Sequence, residues 1–272
     1  VQKVICVTSG KGGVGKTLTT INLAIAARAQ GLSVLIIDGD FGLSNVDILL
    51  GLQTTNSLAD VLDGKCALKD IIVKGPRGID LIPSGSGISR MASLGNMERS
   101  CVLAELSRFK SDHDVIFIDT GAGISPAVMT LVSISDHFVV VTTPEPHALT
   151  DAYAMIKVAS EEFDRSSCSL IMNQVRSEDE GVRIAQRLAE VSRQYSGVEV
   201  TPIGFVRSDV ALSRSVMARR VAWEGSLHTL AGQGWASAWR RLNEILQADS
   251  SKTERRIGSV WRAFAGETVE AS

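Results

Sequence analysis

A chain of 272 residues, 44% hydrophobic and 21% charged, carries apolar material for one large core and reads as a single α/β domain rather than two. Its formal net charge of -2 argues against a whole-protein attraction to nucleic acid, and no run of about 18 to 20 apolar residues is present to span a membrane. The cysteines Cys6, Cys66, Cys101 and Cys168 share no C-x-x-C spacing and read as small hydrophobes in a reducing compartment, and no signal peptide precedes the first strand, so the expectation is a cytoplasmic protein.

In chain order, KVICVT (Lys3 to Thr8) is the first β-branched apolar run, followed by a glycine-rich stretch and a helical pattern over Thr17 to Gln30. SVLIID (Ser33 to Asp38) and the shorter IDLIP (Ile79 to Pro83) come next, and Met97 to Lys110 has helical spacing. DVIFID (Asp114 to Asp119) and HFVVVTT (His137 to Thr143) are further strands, with helices predicted over Thr150 to Phe163 and Gly181 to Tyr195 around SLIMNQV (Ser169 to Val175). TPIGFV (Thr201 to Val206) closes the series. Nearly continuous apolar strands are buried on both faces, so the alternation predicts a mostly parallel sheet flanked by helices on both faces, with ligands at the carboxyl ends of the strands. The main domain is expected over residues 1–247, with 248–272 forming a polar hinge and a final helix.

The glycine-rich stretch is SGKGGVGKT, Ser9 to Thr17, which contains G-x-x-x-x-G-K-T between a strand and a helix. That is the pattern of a loop wrapping the phosphates of a nucleoside triphosphate. Gly10, Gly12, Gly13, Val14 and Gly15 let backbone N–H groups approach the phosphates, and the helix N-terminus adds partial positive charge. Lys16 is expected on the β- and γ-phosphates and Thr17 on Mg²⁺. Lys11 is a second cation in the same loop. It either projects toward the phosphates of a second molecule, neutralising transition-state charge as an arginine finger does, or is a solvated loop lysine.

Two further strand ends carry carboxylates: IIDGDFGLSNVD places Asp38 and Asp40 past the second strand, and FIDTGAG places Asp119 ahead of Gly121 and Gly123. Asp119 reads as a carboxylate holding Mg²⁺ through water, and Asp40 as the group positioning the attacking water, although Asp and Gly are also ordinary turn residues.

Together SGKGGVGKT, IDGDFGLSNVD and FIDTGAG resemble the MinD/ParA family of deviant P-loop ATPases over roughly Val4 to Leu246, the extra lysine of the family being matched by Lys11. The resemblance implies a P-loop NTPase fold, ATP and Mg²⁺ as cofactors, and a homodimer formed on ATP in which Lys11 reaches the partner's phosphates. It also implies slow hydrolysis with Lys11, Lys16 and Asp40 as the catalytic set, and adenine recognition at Asn173, for which a strand-end cap is the plain alternative. DFGLSNVDILLG, DVLDGKCALKDIIVKGPRGIDLIPSGSG and PEPHALTDAYAMIKV are similar to the FlhG/FleN branch, MinD-like regulators of flagellar number and placement. That branch implies an FlhF-like GTPase and basal-body or regulatory proteins as partners. Many of its members carry a segment ahead of the first strand that stimulates FlhF; none precedes the first strand in this sequence, so that activity stays open. Asp151, read as lying near the exposed start of a helix beginning at Thr150, is either a partner contact or a carboxylate facing the helix dipole.

Rival readings share the ATP chemistry. A MinD-type regulator of the cell-division site differs mainly in partner. A ParA-type partitioning ATPase needs a DNA-facing surface, for which Arg207 to Arg262 offers ten Lys or Arg against five Asp or Glu. A redox relative with a shared iron-sulfur cluster needs cysteines after Asp119, where TGAGISPAV has none. In RRIGSVWRAFAG, Ile257, Val260, Trp261 and Phe264 form one apolar stripe flanked by arginines. The stripe suits either an anionic membrane at the inner face of the cell membrane or packing on the core, and MinD-like proteins end in such a helix.

Overall fold

The computed structural model describes residues 2–41, 45–85, 106, 109, 111–209 and 229–248. The strands are β1 (Lys3–Ser9), β2 (Val34–Gly39), β3 (Val73–Lys74), β4 (Ile79–Ile82), β5 (Val115–Ala122), β6 (His137–Thr142), β7 (Ser167–Val175) and β8 (Glu199–Arg207). They form one sheet in the order β3-β4-β2-β5-β1-β6-β7-β8. Every pairing is parallel except that of the edge strand β3 with β4. All seven predicted apolar runs are strands of this sheet. The two-residue β3, too short to show any periodicity, is an addition.

The helices are α1 (Lys16–Ala29), α2 (Val46–Leu50), α3 (Leu58–Leu62), α4 (Pro126–Ile134), α5 (Pro146–Phe163), α6 (Glu178–Ser196) and α7 (Leu230–Ala248). Successive strand residues point to opposite faces, and here both faces are apolar. Cys6, Ile118, Phe138, Val140 and Met172 pack under α4, α5 and α6, whereas Ile5, Val7, Phe117, Val139 and Ile171 pack under α1 and α7. Two buried tryptophans fix α7. Trp239 meets Phe117 edge to face at 5.8 Å, while the indole N–H groups of Trp235 and Trp239 donate to Thr19 and Gln30 of the neighbouring α1 segment. Both indoles are thereby buried with their one donor satisfied.

The structure corrects one boundary that bears on the site. α5 begins at Pro146, four residues ahead of the predicted Thr150, with Glu145 extended at its N-cap. Proline belongs in a first helical turn, where its fixed φ is already helical and its missing N–H is not needed. Asp151 therefore lies in the second turn and is half-buried, not at an exposed helix start. Apart from Leu106 and Phe109, the predicted helix over Met97 to Lys110 lies outside the described residues, as do Ile257, Val260, Trp261 and Phe264. Among the described residues no helix is long and apolar enough to cross a membrane.

Candidate nucleotide site

Sheet order assembles the site. β1 lies between β5 and β6, so the loop leaving β1 emerges beside the carboxyl end of β5. Register completes this: Asp119 pairs in line with Val7 of β1 on one side and with Asp38 of β2 on the other. The glycine loop, Asp119 and the β2 carboxylates thus share one end of three adjacent strands.

Gly15 caps α1 in the left-handed region (φ 86°, ψ 28°), and Gly13 has φ 81°. A side chain at either position would strain the backbone. A Cβ on Gly13 would meet nothing within 4 Å, so the loop backbone there lies open for a ligand to approach. At the head of α1, Lys16 is only 8% exposed, and its Nζ lies 3.2 Å from Oδ1 of Asp119, itself 1% exposed. The Thr20 hydroxyl, one helical turn beyond Lys16, donates to the same oxygen at 2.8 Å. A buried carboxylate needs such partners, since an unpaired charge in that setting is strongly destabilising. Asp119 lies beneath Lys16 and holds its ammonium.

Across the cleft, the Asp40 N–H donates to Asp38 Oδ1 at 3.0 Å, which shapes the turn after β2. The Asp40 side chain then faces the carboxyl end of β5: a Cβ on Gly121 would lie 3.6 Å from Asp40 Oδ1. The cleft between these loops has a volume of about 770 Å³. Gly12, Gly13, Gly15, Lys16, Thr17 and Asp40 line its polar side, and Phe41, Ile48 and Leu49 its apolar side.

Lys11 is placed differently. Its Nζ pairs with Glu145 Oε2 at 2.8 Å on the surface, where the two side chains are 38% and 66% exposed. The hydrogen bond from Lys11 holds the Glu145 carboxyl below its usual range. Exposed pairs of this kind contribute little to stability and break readily. The two loop lysines therefore have separate surroundings, one buried over Asp119 and one at the rim.

Asn173 stands at the end of β7 with its Nδ2 donating to the Val14 carbonyl at 2.7 Å. Asp151 meets the loop through its backbone: a Cβ on Gly10 would fall 2.1 Å from the Asp151 carbonyl oxygen. Thr20, Glu145 and this backbone contact are site features that motif reading missed. Thr20 was within reach, because residues i and i+4 share a helix face. Glu145 and the Asp151 contact had no local signal.

An open glycine backbone, a buried ammonium and a hydroxyl at the helix start are the donor set that phosphates require, and Thr17 with the nearby carboxylates supplies oxygen for a hard cation that keeps much of its water. The residues present therefore fit ATP and Mg²⁺, the ligands of P-loop ATPases.

The family model described as an AAA domain matches residues 2–170. The antiactivator FleN of Pseudomonas aeruginosa is 35% identical over 222 residues, covering 82% of this chain and 79% of FleN. The flagellum site-determining protein YlxH of Helicobacter pylori is 36% identical over 220 residues, covering 80% of this chain and 74% of YlxH. Among solved structures, the septum site-determining protein MinD of Pyrococcus horikoshii, complexed with Mg-ADP, shares the fold with a TM-score of 0.73 at 23% identity, covering 92% of this chain and 99% of that one. By the matched domain, the two flagellar relatives and the shared architecture, the chain belongs to the MinD/ParA family of P-loop ATPases and is similar to FleN and YlxH within it.

Proposed function

We propose that the protein is a Mg²⁺-dependent ATPase that dimerises when it holds ATP and in that state regulates flagellar number and placement. The observation that carries this reading is the separation of the two loop lysines, with Lys16 buried over Asp119 and Lys11 at the rim on Glu145. Lys16 is positioned to exchange Asp119 for phosphate oxygens entering the cleft. Lys11, released from an exposed ion pair at small cost, is free to turn to the nucleotide of a second chain, where a cation stabilises charge building on the transferred phosphoryl group. Thr17 would hold Mg²⁺ directly and Asp119 through a water, and Asp40 would orient the attacking water. Bound Mg²⁺ supplies neutralisation of the phosphate charge.

The flagellar setting is supported by the two relatives, which bear the names antiactivator and flagellum site-determining protein. The partners in this reading are an FlhF-like GTPase and basal-body or regulatory proteins, with peripheral contact at the inner face of the cell membrane through the segment that holds Trp261. Light scattering of Asp40→Ala tests the dimer: this variant should bind ATP without cleaving it and run as a dimer in ATP and a monomer in ADP. A monomer at saturating ATP and micromolar protein defeats the reading. Capture by FlhF and not by MinC separates the flagellar role from the cell-division role.

A further inference from the structure

Asn173 is 6% exposed, yet it sits at the carboxyl end of a strand beside a ligand cleft. Its amide joins segments 159 residues apart in sequence: Nδ2 donates to the Val14 carbonyl at 2.7 Å, and Oδ1 accepts from the Gln174 N–H at 2.9 Å. The fit is close. A Cβ on Gly15 would lie 2.3 Å from Nδ2, so the glycine that caps α1 is also what admits the amide. Gln174 adopts φ 58°, the left-handed region that a non-glycine side chain disfavours, where the register of β7 against β8 shifts between Met172 and Val175.

The consequence follows from peptide geometry. In a trans peptide the C=O and the following N–H point in opposite directions. Holding the Val14 carbonyl toward β7 therefore aims the Gly15 N–H away from it, and Gly15 is one of the residues lining the cleft. We propose that Asn173 is a positioning strut of the phosphate loop: by tying the Val14 carbonyl to β7 it fixes the direction of the Gly15 N–H, and thereby the grip on phosphate, whether or not a base is present. The role deepens the nucleotide reading above and rests on it. It leaves one amide hydrogen and one oxygen lone pair of Asn173 unspent, so a base contact is compatible with the strut but does not account for the buried bond to Val14.

A ligand without a base separates the two roles. Calorimetry compares ADP with pyrophosphate, both with Mg²⁺, on the native protein, Asn173→Ala and the near-isosteric Asn173→Asp, which keeps the acceptor for Gln174 but opposes an oxygen to the Val14 carbonyl. A strut requires both ligands to weaken by a similar factor, about tenfold for loss of one buried hydrogen bond, in a variant whose melting temperature shows it folded. Asn173→Asp should weaken pyrophosphate at least as much, and it decides the matter if the alanine variant does not fold. Weakened ADP with unchanged pyrophosphate overturns the proposal in favour of a base reader, and so does no change in either. Failure of the native protein to bind ADP is a different result: it defeats the nucleotide reading itself.

Discussion

Gly10→Ala isolates a steric requirement of the phosphate loop that motif matching does not reveal. An alanine Cβ there would sit 2.1 Å from the Asp151 carbonyl oxygen, 2.2 Å from its carbon and 2.8 Å from the Ala152 nitrogen, all backbone atoms of α5 and all inside the 3.0 Å that side-chain carbons essentially never breach. Relief requires loop and helix to separate by roughly 1 Å, as standard van der Waals contact distances dictate. The helix cannot withdraw freely, because Ala152, Met155, Ile156 and Ala159 are buried against the sheet. Overpacking typically costs about 1 to 3 kcal/mol. Rigid backbone on both sides places this case at about 3 kcal/mol, which for a domain of this size lowers the melting temperature by on the order of 10 °C. Gly13→Ala is the control: with φ 81° and open space around it, it carries only the conformational cost of about 1 to 2 kcal/mol. Scanning calorimetry of the ligand-free variants should rank Gly10→Ala well below Gly13→Ala, and ADP titration should show both weakened. A Gly10→Ala protein melting within a degree or two of the native one would refute the reasoning.

Lys16→Ala should abolish ADP binding and destabilise the fold by about 3 kcal/mol, since among the described residues Asp119 then keeps only the Thr20 hydroxyl as a side-chain donor; adding Asp119→Asn should restore stability without restoring binding, as urea melts and calorimetry can show. Lys11→Ala should keep ADP affinity and melting temperature, because its contact with Glu145 is exposed, but in the dimer proposed above, where its target is the partner's nucleotide, it should lose on the order of 10³-fold in hydrolysis; normal turnover would make it a solvated lysine. Asp136 accepts the Val4 N–H at 2.8 Å, and burial raises its pKa, only partly opposed by that hydrogen bond, Lys3 and Arg165. A raised folded value means that the stabilising proton is fully held below the ordinary 3.8 and lost as pH climbs through the folded value. Asp136→Asn should therefore melt above the native protein at pH 7 and converge with it near pH 3.5, and the opposite ordering in thermal melts would count against buried desolvation as the cause.

Strands buried on both faces are continuous apolar runs, and for that reason the sheet was legible from KVICVT to TPIGFV. Alternation with helices implied parallel strands. It could not give their order, and order is what brings Asp119 to Lys16, 103 residues away, and Asn173 to Val14. The start of α5 was misplaced because Pro146 and His147 resemble a loop, although proline favours a first turn and the extended Glu145 before it is the cap. That four-residue difference also moved Asp151 from an exposed end to the second turn, where its carbonyl abuts Gly10.

The glycines of SGKGGVGKT show where local pattern stops carrying physical reasons. Gly10 is not in the left-handed region and is required because α5 leaves no room for a Cβ, a constraint imposed by a helix more than a hundred residues later. Gly13 has all the room it needs and is required by its backbone angle. Gly15 is required on both counts, and the atom that crowds it is the amide of Asn173. Three identical letters in one motif thus answer to α5, to the loop itself and to β7. Substitutions at the three positions should consequently respond to different second-site changes: only the Gly15 variant gains steric relief from shortening Asn173, and it retains the angular strain that Gly13→Ala shows alone.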